Sequence, residues 1–388
     1  MTEQTQESPT VSNSGVGIDH ISHIIAIASG KGGVGKSTVS VNLAVALQSF
    51  GARVGLMDAD IYGPSQPGML GSQQAKVDVG DNFLHPVVRY GIQFISMGLL
   101  VADDGPVIWR APIAMKMIHQ FLGSVAWGEL DYLLIDLPPG TGDVQLTLAQ
   151  QAKLSGAVIV TTPQEVAIGV ARRGLRMFEQ VNIPILGIVE NMSGFTCKHC
   201  GEETAIFDQG GGKQMAEQMK VPFLGSLPLD PEIMMSGDSG VPILTNGTDT
   251  IAAKAVLEIA AKVRDNAKAA DAETTQNEPR SCELDGKDRL NIVWPDDHRS
   301  VYSAYQLRLA CQCASCIDEN SGRKILDSGS VPLDISIKSA NPVGRYGMSF
   351  VFSDGHSTGI YAYTRLRELC ECDNCRNGEA EADRSFSV

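Results

Sequence analysis

The stretch "SGKGGVGKST" (29–38) constrains this chain more than any other, because it admits few folds. It follows the apolar run "HIIAIAS" (23–29) and precedes a segment whose apolar residues recur at helical spacing. A G-x-x-x-x-G-K-[ST] pattern between a strand and a helix predicts a phosphate-binding loop. Gly30, Gly32, Gly33 and Gly35 let backbone N–H groups of the loop, including that of Val34, converge on phosphate oxygens, and the helix N-terminus adds its dipole. Lys36 is expected to reach the β- and γ-phosphates of ATP, Ser37 to ligate Mg2+, and Thr38 to close the motif. The competing reading is a glycine-rich turn with an incidental lysine, which the strand–loop–helix context disfavours.

The pattern downstream agrees. The runs "RVGLMDAD" (53–60), "DYLLIDLPP" (131–139), "GAVIVTTP" (156–163), "ILGIVENM" (185–192) and "FLGSLPLD" (223–230) are nearly continuous in apolar residues, as strands buried on both faces are. Between them, 36–50 places Leu43, Leu47 and Phe50 on one helical face, and 165–180 and 248–266 are similarly periodic. The expected fold is α/β, a doubly wound, mostly parallel sheet. A tail over 1–22 precedes this ATPase domain of 23–265. A linker is expected over 266–281, where large apolar residues disappear. A second, small α+β domain follows over 282–378, then a tail over 379–388. The small domain carries an internal echo: "HRSVYSAYQLRLACQCASC" (298–316) resembles "HSTGIYAYTRLRELCECDNC" (356–375), offset by 58 residues at the histidines and 59 at the cysteines.

Composition narrows the partners. The 388 residues carry a formal charge of -14, unlike the basic surface that nucleic-acid binding needs, so neither nucleic acid nor membrane is expected as a partner. No apolar run is long enough to span a bilayer, and the polar first 20 residues lack a secretory signal's apolar core. The expected compartment is cytoplasmic, where the nine cysteines, most of them in tight clusters, point to metal rather than disulfides.

Lys31, directly after the first glycine of the loop, gives it the deviant form found in the ATPases of the MinD/ParA/nitrogenase-iron-protein class, which this chain resembles. By that resemblance Lys31 reaches across a homodimer to the partner's nucleotide. In "LMDADIYGPS" (56–65), Asp60 is expected to position the attacking water, while Asp58 is equally well read as a strand-end cap. In "LLIDLPPGTGD" (133–143), Asp136 is expected to hold Mg2+ through water, with the loop through Asp143 sensing the γ-phosphate. Asn191 resembles the family's adenine-contacting asparagine; an ordinary turn residue is the alternative.

Together "GKGGVGKS", "DADIYGPS", "DLPPGTGD", "NMSGFTCKHCG" and "IFDQGGG" resemble the Mrp/ApbC-type iron–sulfur cluster carriers over about residues 22–265. The resemblance implies that Cys197 and Cys200, at C-x-x-C spacing, bind one bridging [4Fe-4S] cluster with the same pair of a second subunit, and that the cluster passes from a donor to apo iron–sulfur client proteins. Four thiolates are needed and one chain offers two here. A redox dithiol, a zinc site shared between subunits and a buried thiol pair are the alternatives. Residues 283–369 resemble the N-terminal domain of gamma-butyrobetaine hydroxylase, which implies Zn2+ on Cys311, Cys313, Cys316 and His356. For Cys370, Cys372 and Cys375 three readings stand: a second zinc site completed by His298, a hand-over point for cluster, or an adventitious trio. Cys282, His20, His23, His85 and His119 have no partners at ligand spacing. The expected function is that of a weakly hydrolysing, ATP-dependent cluster carrier. The alternatives are a positioning ATPase of the ParA/MinD type and a zinc-dependent scaffold with a vestigial ATPase.

Overall fold

The computed structural model describes residues 16–61, 63–80, 83–100, 111–140, 142–196, 200, 202–318, 323–372 and 375. They divide into two units, Met1–Ala270 and Asp271–Val388.

The first unit is built on strands β1 (Ile21–Ser29), β2 (Val54–Asp58), β3 (Asp78–Gly80), β4 (Phe83–His85), β5 (Val87–Arg89), β6 (Ile92–Ser96), β7 (Leu130–Asp136), β8 (Gly156–Thr161), β9 (Ile185–Glu190), β10 (Phe195–Thr196), β11 (Glu203–Thr204) and β12 (Phe223–Ser226). Eight of them form one sheet in the order β12-β9-β8-β1-β7-β2-β6-β5. All its pairs are parallel except β5 with β6, which closes one edge antiparallel. The helices are α1 (Lys36–Ser49), α2 (Gln66–Met69), α3 (Ala111–Gly123), α4 (Asp143–Gln151), α5 (Glu165–Gln180), α6 (Gly211–Met219), α7 (Pro231–Ser239) and α8 (Ile251–Asn277). The mostly parallel, doubly wound architecture is as expected, and each of the six apolar runs contains a sheet strand. β5 and β6 were not anticipated. They turn on Tyr90 and Gly91, both at positive φ, and β5, three residues long, is too short to read as a strand alone.

Two expectations change. Helix α1 is buried almost all round, from Val39 to Leu47, rather than along one face. Phe50 lies beyond its end, 41 % exposed, with the Arg264 guanidinium over its ring. Helix α8 runs to Asn277, through most of the segment expected to be a linker. Its "AKAADAE" composition lacks large apolar residues but is rich in strong helix formers, so loss of hydrophobicity does not end the helix. The boundary between the two units falls inside it.

The second unit holds β13 (Ser281–Asp285), β14 (Arg289–Val293), β15 (Arg299–Ser303), α9 (Ala304–Leu309), β16 (Ile337–Val343), β17 (Gly347–Phe352), β18 (Ile360–Ala362) and α10 (Tyr363–Glu368). Its strands form two antiparallel three-stranded sheets around a core that includes Trp294, Tyr302, Phe350, Phe352 and Tyr361. Among the described residues no helix is long and apolar enough to cross a membrane.

Candidate nucleotide and metal sites

The loop from β1 to α1 lines a cavity of about 240 Å³ that includes Lys31, Gly32, Gly33, Lys36, Ser37 and Asp60. Gly33 and Gly35 adopt left-handed φ of 79° and 80°. A Cβ on Gly33 would meet nothing within 4 Å, and one on Gly32 only Pro139 at 4.0 Å, so both leave room above the loop for a ligand to meet backbone N–H groups. Gly30 and Gly35 are small for a different reason: a Cβ would collide with the Val170–Ala171 backbone at 2.5 Å or with Asn191 Nδ2 at 2.1 Å.

The charged groups of the loop are already organised. Lys36 Nζ donates to Asp136 Oδ1 at 2.6 Å and lies 3.9 Å from Asp60 and 3.4 Å from Ser37 Oγ. Asp136, fully buried at the end of β7, also accepts from Ser40 Oγ at 2.8 Å and from Gln66 Nε2 at 2.7 Å. Asp58, at the end of β2 beside it, accepts from Ser96 Oγ and from the Asp60 and Gln66 backbone N–H groups. Burial, reinforced by the charge of Asp136, pushes the Asp58 carboxyl up to about 7. Asp58 therefore braces the Asp60 turn from below, while Asp60 faces the cavity.

Residues able to hold ATP with Mg2+ fit that pair. The open glycines supply the phosphate cradle. Ser37 Oγ, Asp136 and Gln66 Oε1, the last buried without a hydrogen-bond partner, are the all-oxygen donors a hard cation prefers. Lys31 Nζ reaches Gln164 Oε1 at 3.4 Å at the rim of the cavity. Asn191 is buried, and its amide donates to the Val34 carbonyl at 2.9 Å, so in this structure it anchors the loop.

Glu190, which sequence reasoning passed over, organises the next segment. Its buried carboxylate accepts from Ser193 Oγ at 2.6 Å and from the N–H groups of Gly210 and Gly212 at 3.0 and 2.6 Å, fastening the start of α6 to the end of β9. This accounts for "DQGGG": a Cβ on Gly211 would strike Ile168 at 2.3 Å. A carboxylate ending an apolar strand was the available signal. Between those fixed ends, β10 and β11 pair antiparallel, Phe195 with Thr204 and Thr196 with Glu203. Their connection carries the C-x-x-C pair. Cys200 is exposed; Cys197 lies outside the described residues.

In the second unit the expected quartet assembles. His356 Nε2 lies 3.2, 3.6 and 3.9 Å from the sulfurs of Cys311, Cys313 and Cys316. Four ligands around one tetrahedral zinc have edges of about 3.5 to 3.8 Å. Burial pushes the Cys311 thiol up to about 12, so a thiolate there requires a cation to compensate. Burial, then the Arg308 charge, lowers His356, which favours the neutral, ligating imidazole. Thr358 Oγ1 and Arg308 Nη1 donate to Cys313 and Cys316 at 3.2 and 3.3 Å, the outer hydrogen bonds such a site needs. The structure also brings His298 to Cys370, Cys372 and Cys375.

Comparison with known proteins accords with both halves. Residues 20–264 match the family described as "ParA: NUBPL iron-transfer P-loop NTPase", and residues 283–367 match "Gamma-butyrobetaine hydroxylase-like, N-terminal". A protein of Synechocystis named "Iron-sulfur cluster carrier protein" is 51 % identical over 251 residues, 63 % of this chain and 71 % of that one. A protein of the same name from Aquifex aeolicus is 50 % identical over 62 % of this chain and 66 % of its own, so the chain matches about two thirds of the length of these relatives. The "Iron-sulfur protein required for NADH dehydrogenase, mitochondrial" of Arabidopsis thaliana is 47 % identical, covering 63 % of this chain and 78 % of that one. Among solved structures, a nucleotide-binding protein of Archaeoglobus fulgidus in complex with ADP superposes with a TM-score of 0.52 at 45 % identity, covering 59 % of this chain and 92 % of that one.

Proposed function

Because this chain belongs to the family of NUBPL iron-transfer P-loop NTPases, we propose that it is an ATP-dependent iron–sulfur cluster carrier. As a cytoplasmic homodimer it would hold a [4Fe-4S] cluster on Cys197 and Cys200 of both copies, receive it from a donor and pass it to apo-proteins. The observation that carries this reading is the β10–β11 ribbon. Cys197 and Cys200 are the only cysteines before residue 282, and the exposed Cys200 lies between two paired strands whose flanking segments Glu190 ties together. Two thiols, of which Cys200 is exposed, are half a cluster's ligand set, and a symmetric partner supplies the other half.

The nucleotide site supplies the switch. Mg2+, held by Ser37 and Asp136, would neutralise phosphate charge. Lys36 is held ready by Asp136 and pairs with the phosphates; Asp60 orients water; Lys31, on the rim, reaches toward a second subunit's nucleotide; Asn191 keeps the loop in shape and contacts adenine. Hydrolysis is weak, and the nucleotide state sets how firmly the two ribbons hold the cluster between them. The acidic charge of the whole chain favours this reading over a DNA- or membrane-positioning ATPase.

Transfer to an apo-protein that requires a [4Fe-4S] cluster tests the proposal, with recovered client activity as the readout. The reconstituted chain should mature the client, and the Cys197→Ala/Cys200→Ala chain should not. Equal maturation by that variant would end the carrier reading; loss of ATP turnover in Lys36→Ala with transfer unchanged would separate nucleotide from cargo.

A further inference from the structure

The second unit is a duplication in its hydrogen bonds as well as in its sequence. Tyr302 Oη donates to the Leu366 carbonyl, and Tyr361 Oη, 59 residues on, donates to the Leu307 carbonyl at 2.8 Å. Arg308 Nε meets Asp354 at 2.7 Å, and Arg367 Nη2 meets Asp296 at 2.7 Å. Asp354 Oδ1 accepts from the His356 N–H, and Asp296 Oδ1 from the His298 N–H. The Phe352 N–H donates to the His356 carbonyl, and the Trp294 N–H to the His298 carbonyl. Each histidine thus sits in a braced hairpin turn, His298 between β14 and β15 and His356 between β17 and β18. Each also faces the thiols of the other half.

We propose that His298, Cys370, Cys372 and Cys375 form a second tetrahedral zinc site, so that two ions lace the two halves of the duplication together, and that this second ion is the more readily released. His298 Nε2 lies 3.3, 3.7 and 3.7 Å from the sulfurs of Cys370, Cys372 and Cys375. All four ligand atoms fall within 4.8 Å of one another. The imidazole–sulfur distances lie close to the edges of a tetrahedron around one ion, about 3.5 to 3.8 Å for zinc with sulfur and nitrogen ligands, and the 4.8 Å limit leaves the sulfurs near enough to share it. A four-iron cube places its four protein ligands on four separate irons and so holds them farther apart. The twofold relation to the Cys311 quartet is an independent reason: the hydrogen bonds that orient His356 recur around His298.

The two sites differ in their surroundings. In the first, Cys311 and Cys316 are both buried, and Arg308 and Thr358 each donate to a sulfur. In the second only Cys370 is buried. Arg367, the counterpart of Arg308, spends both terminal nitrogens on Asp296 and stacks on Trp294 at 5.2 Å. Ser300, the counterpart of Thr358, receives the Trp294 indole N–H instead. The second site has the Cys375 N–H on Cys372 Sγ at 3.4 Å, but the side chains matching Arg308 and Thr358 are engaged elsewhere. With one buried sulfur against two, its ligands exchange faster and the second ion leaves first. This inference stands whether or not the chain carries clusters.

The test uses the full chain with Cys197→Ala/Cys200→Ala, so that zinc reports on the small unit alone. Metal analysis should give about two zinc ions per chain, about one in a further Cys372→Ala/Cys375→Ala variant, and about one in a further Cys313→Ala/His356→Ala variant. Zinc release to a chromophoric chelator should be biphasic, the fast phase missing from the Cys372→Ala/Cys375→Ala chain. Should those variants misfold, Co2+ titration of the metal-stripped chain decides: thiolate-to-cobalt absorbance should rise linearly to about two equivalents. Saturation at one equivalent, or a single zinc that survives Cys372→Ala/Cys375→Ala, would overturn the second site. Iron and sulfide there in place of zinc would overturn the identity of its ion, and a single release phase would overturn the order of release.

Discussion

The chain presents its cysteines in two opposite ways. Between β10 and β11 there are two, with no other cysteine before residue 282, and Cys200 is exposed. In the small unit there are two sets of three, each closed by an imidazole across the duplication, with buried sulfurs in both. A ligand set that is complete within one chain and packed into a core keeps its ion, because release leaves crowded, buried thiols. A ligand set that is half complete and exposed holds a metal group only while a partner completes it, which is what a carrier needs and a structural site must avoid. Under the proposed function the first region would carry cargo and the second would hold resident ions.

The same contrast runs through the electrostatics. At the nucleotide site burial holds two acids side by side and pushes Asp58 up to about 7. In the small unit Asp354 sits below the usual carboxylate range: burial opposes this, but the His356 N–H and Arg308 outweigh it. One region stores charge conflict that a nucleotide and its cation can relieve; the other has its charges already paired.

The contrast breaks most visibly if the ribbon is dispensable. Cys197→Ala/Cys200→Ala should reduce iron per reconstituted chain to background while leaving zinc in place, as metal analysis would show. Next in size, Lys31→Ala should leave nucleotide binding to the isolated chain intact and lower ATP turnover by about 10² to 10³-fold, the range for one lost donor to transition-state charge. Its ATP-dependent dimer should weaken alongside, by sedimentation; unchanged turnover and dimer would return Lys31 to a role within one subunit. Stripping zinc from the full chain should unfold the small unit, a loss of several kcal/mol, while ATP turnover persists. Simultaneous loss of both would show that the two units are not independent.

Asp58 gives a smaller effect with a definite sign. Its folded pKa lies above the unfolded value of 3.8, so the folded chain keeps a proton that the unfolded chain has released. The contribution is fully present below about pH 4 and is lost as pH rises through about 7. Stability relative to Asp58→Asn should therefore fall by about 1.4 kcal/mol per pH unit across that window, as denaturant titrations at several pH values would show. A flat difference would mean that Asp58 is ionised in the fold. Smallest, Asn191→Ala should cost about 1 to 2 kcal/mol by orphaning the Val34 carbonyl.

Much of this was legible because it rests on local pattern. The phosphate loop, six apolar strands and the two C-x-C-x-x-C trios each announce themselves within a few residues or by a repeated motif, while the partner His356 of the first trio came from the resemblance to the gamma-butyrobetaine hydroxylase N-terminal domain. The echo, offset by 58 and 59 residues, made His298 the reciprocal partner of the second trio as one of three readings, and the two hairpins crossing bring that histidine to those thiols. Helix α8 outlasted its hydrophobic stripe because alanine and lysine sustain a helix without a core. Strands β5 and β6 were missed because β5 has only three residues and the five of β6 include the polar Gln93 and Ser96. Glu190 was overlooked because a carboxylate that clamps backbone N–H groups has no sequence signature beyond its place at a strand end.

The claim that divides cargo from resident metal is tested most directly by iron, acid-labile sulfide and zinc per chain, with the mass of the assembly, on anaerobically reconstituted full-length protein and its Cys197→Ala/Cys200→Ala variant. The account predicts about two iron and two sulfide per chain in a dimer, lost in the variant while zinc is retained. Zinc alone, or iron that survives loss of both ribbon cysteines, would contradict it.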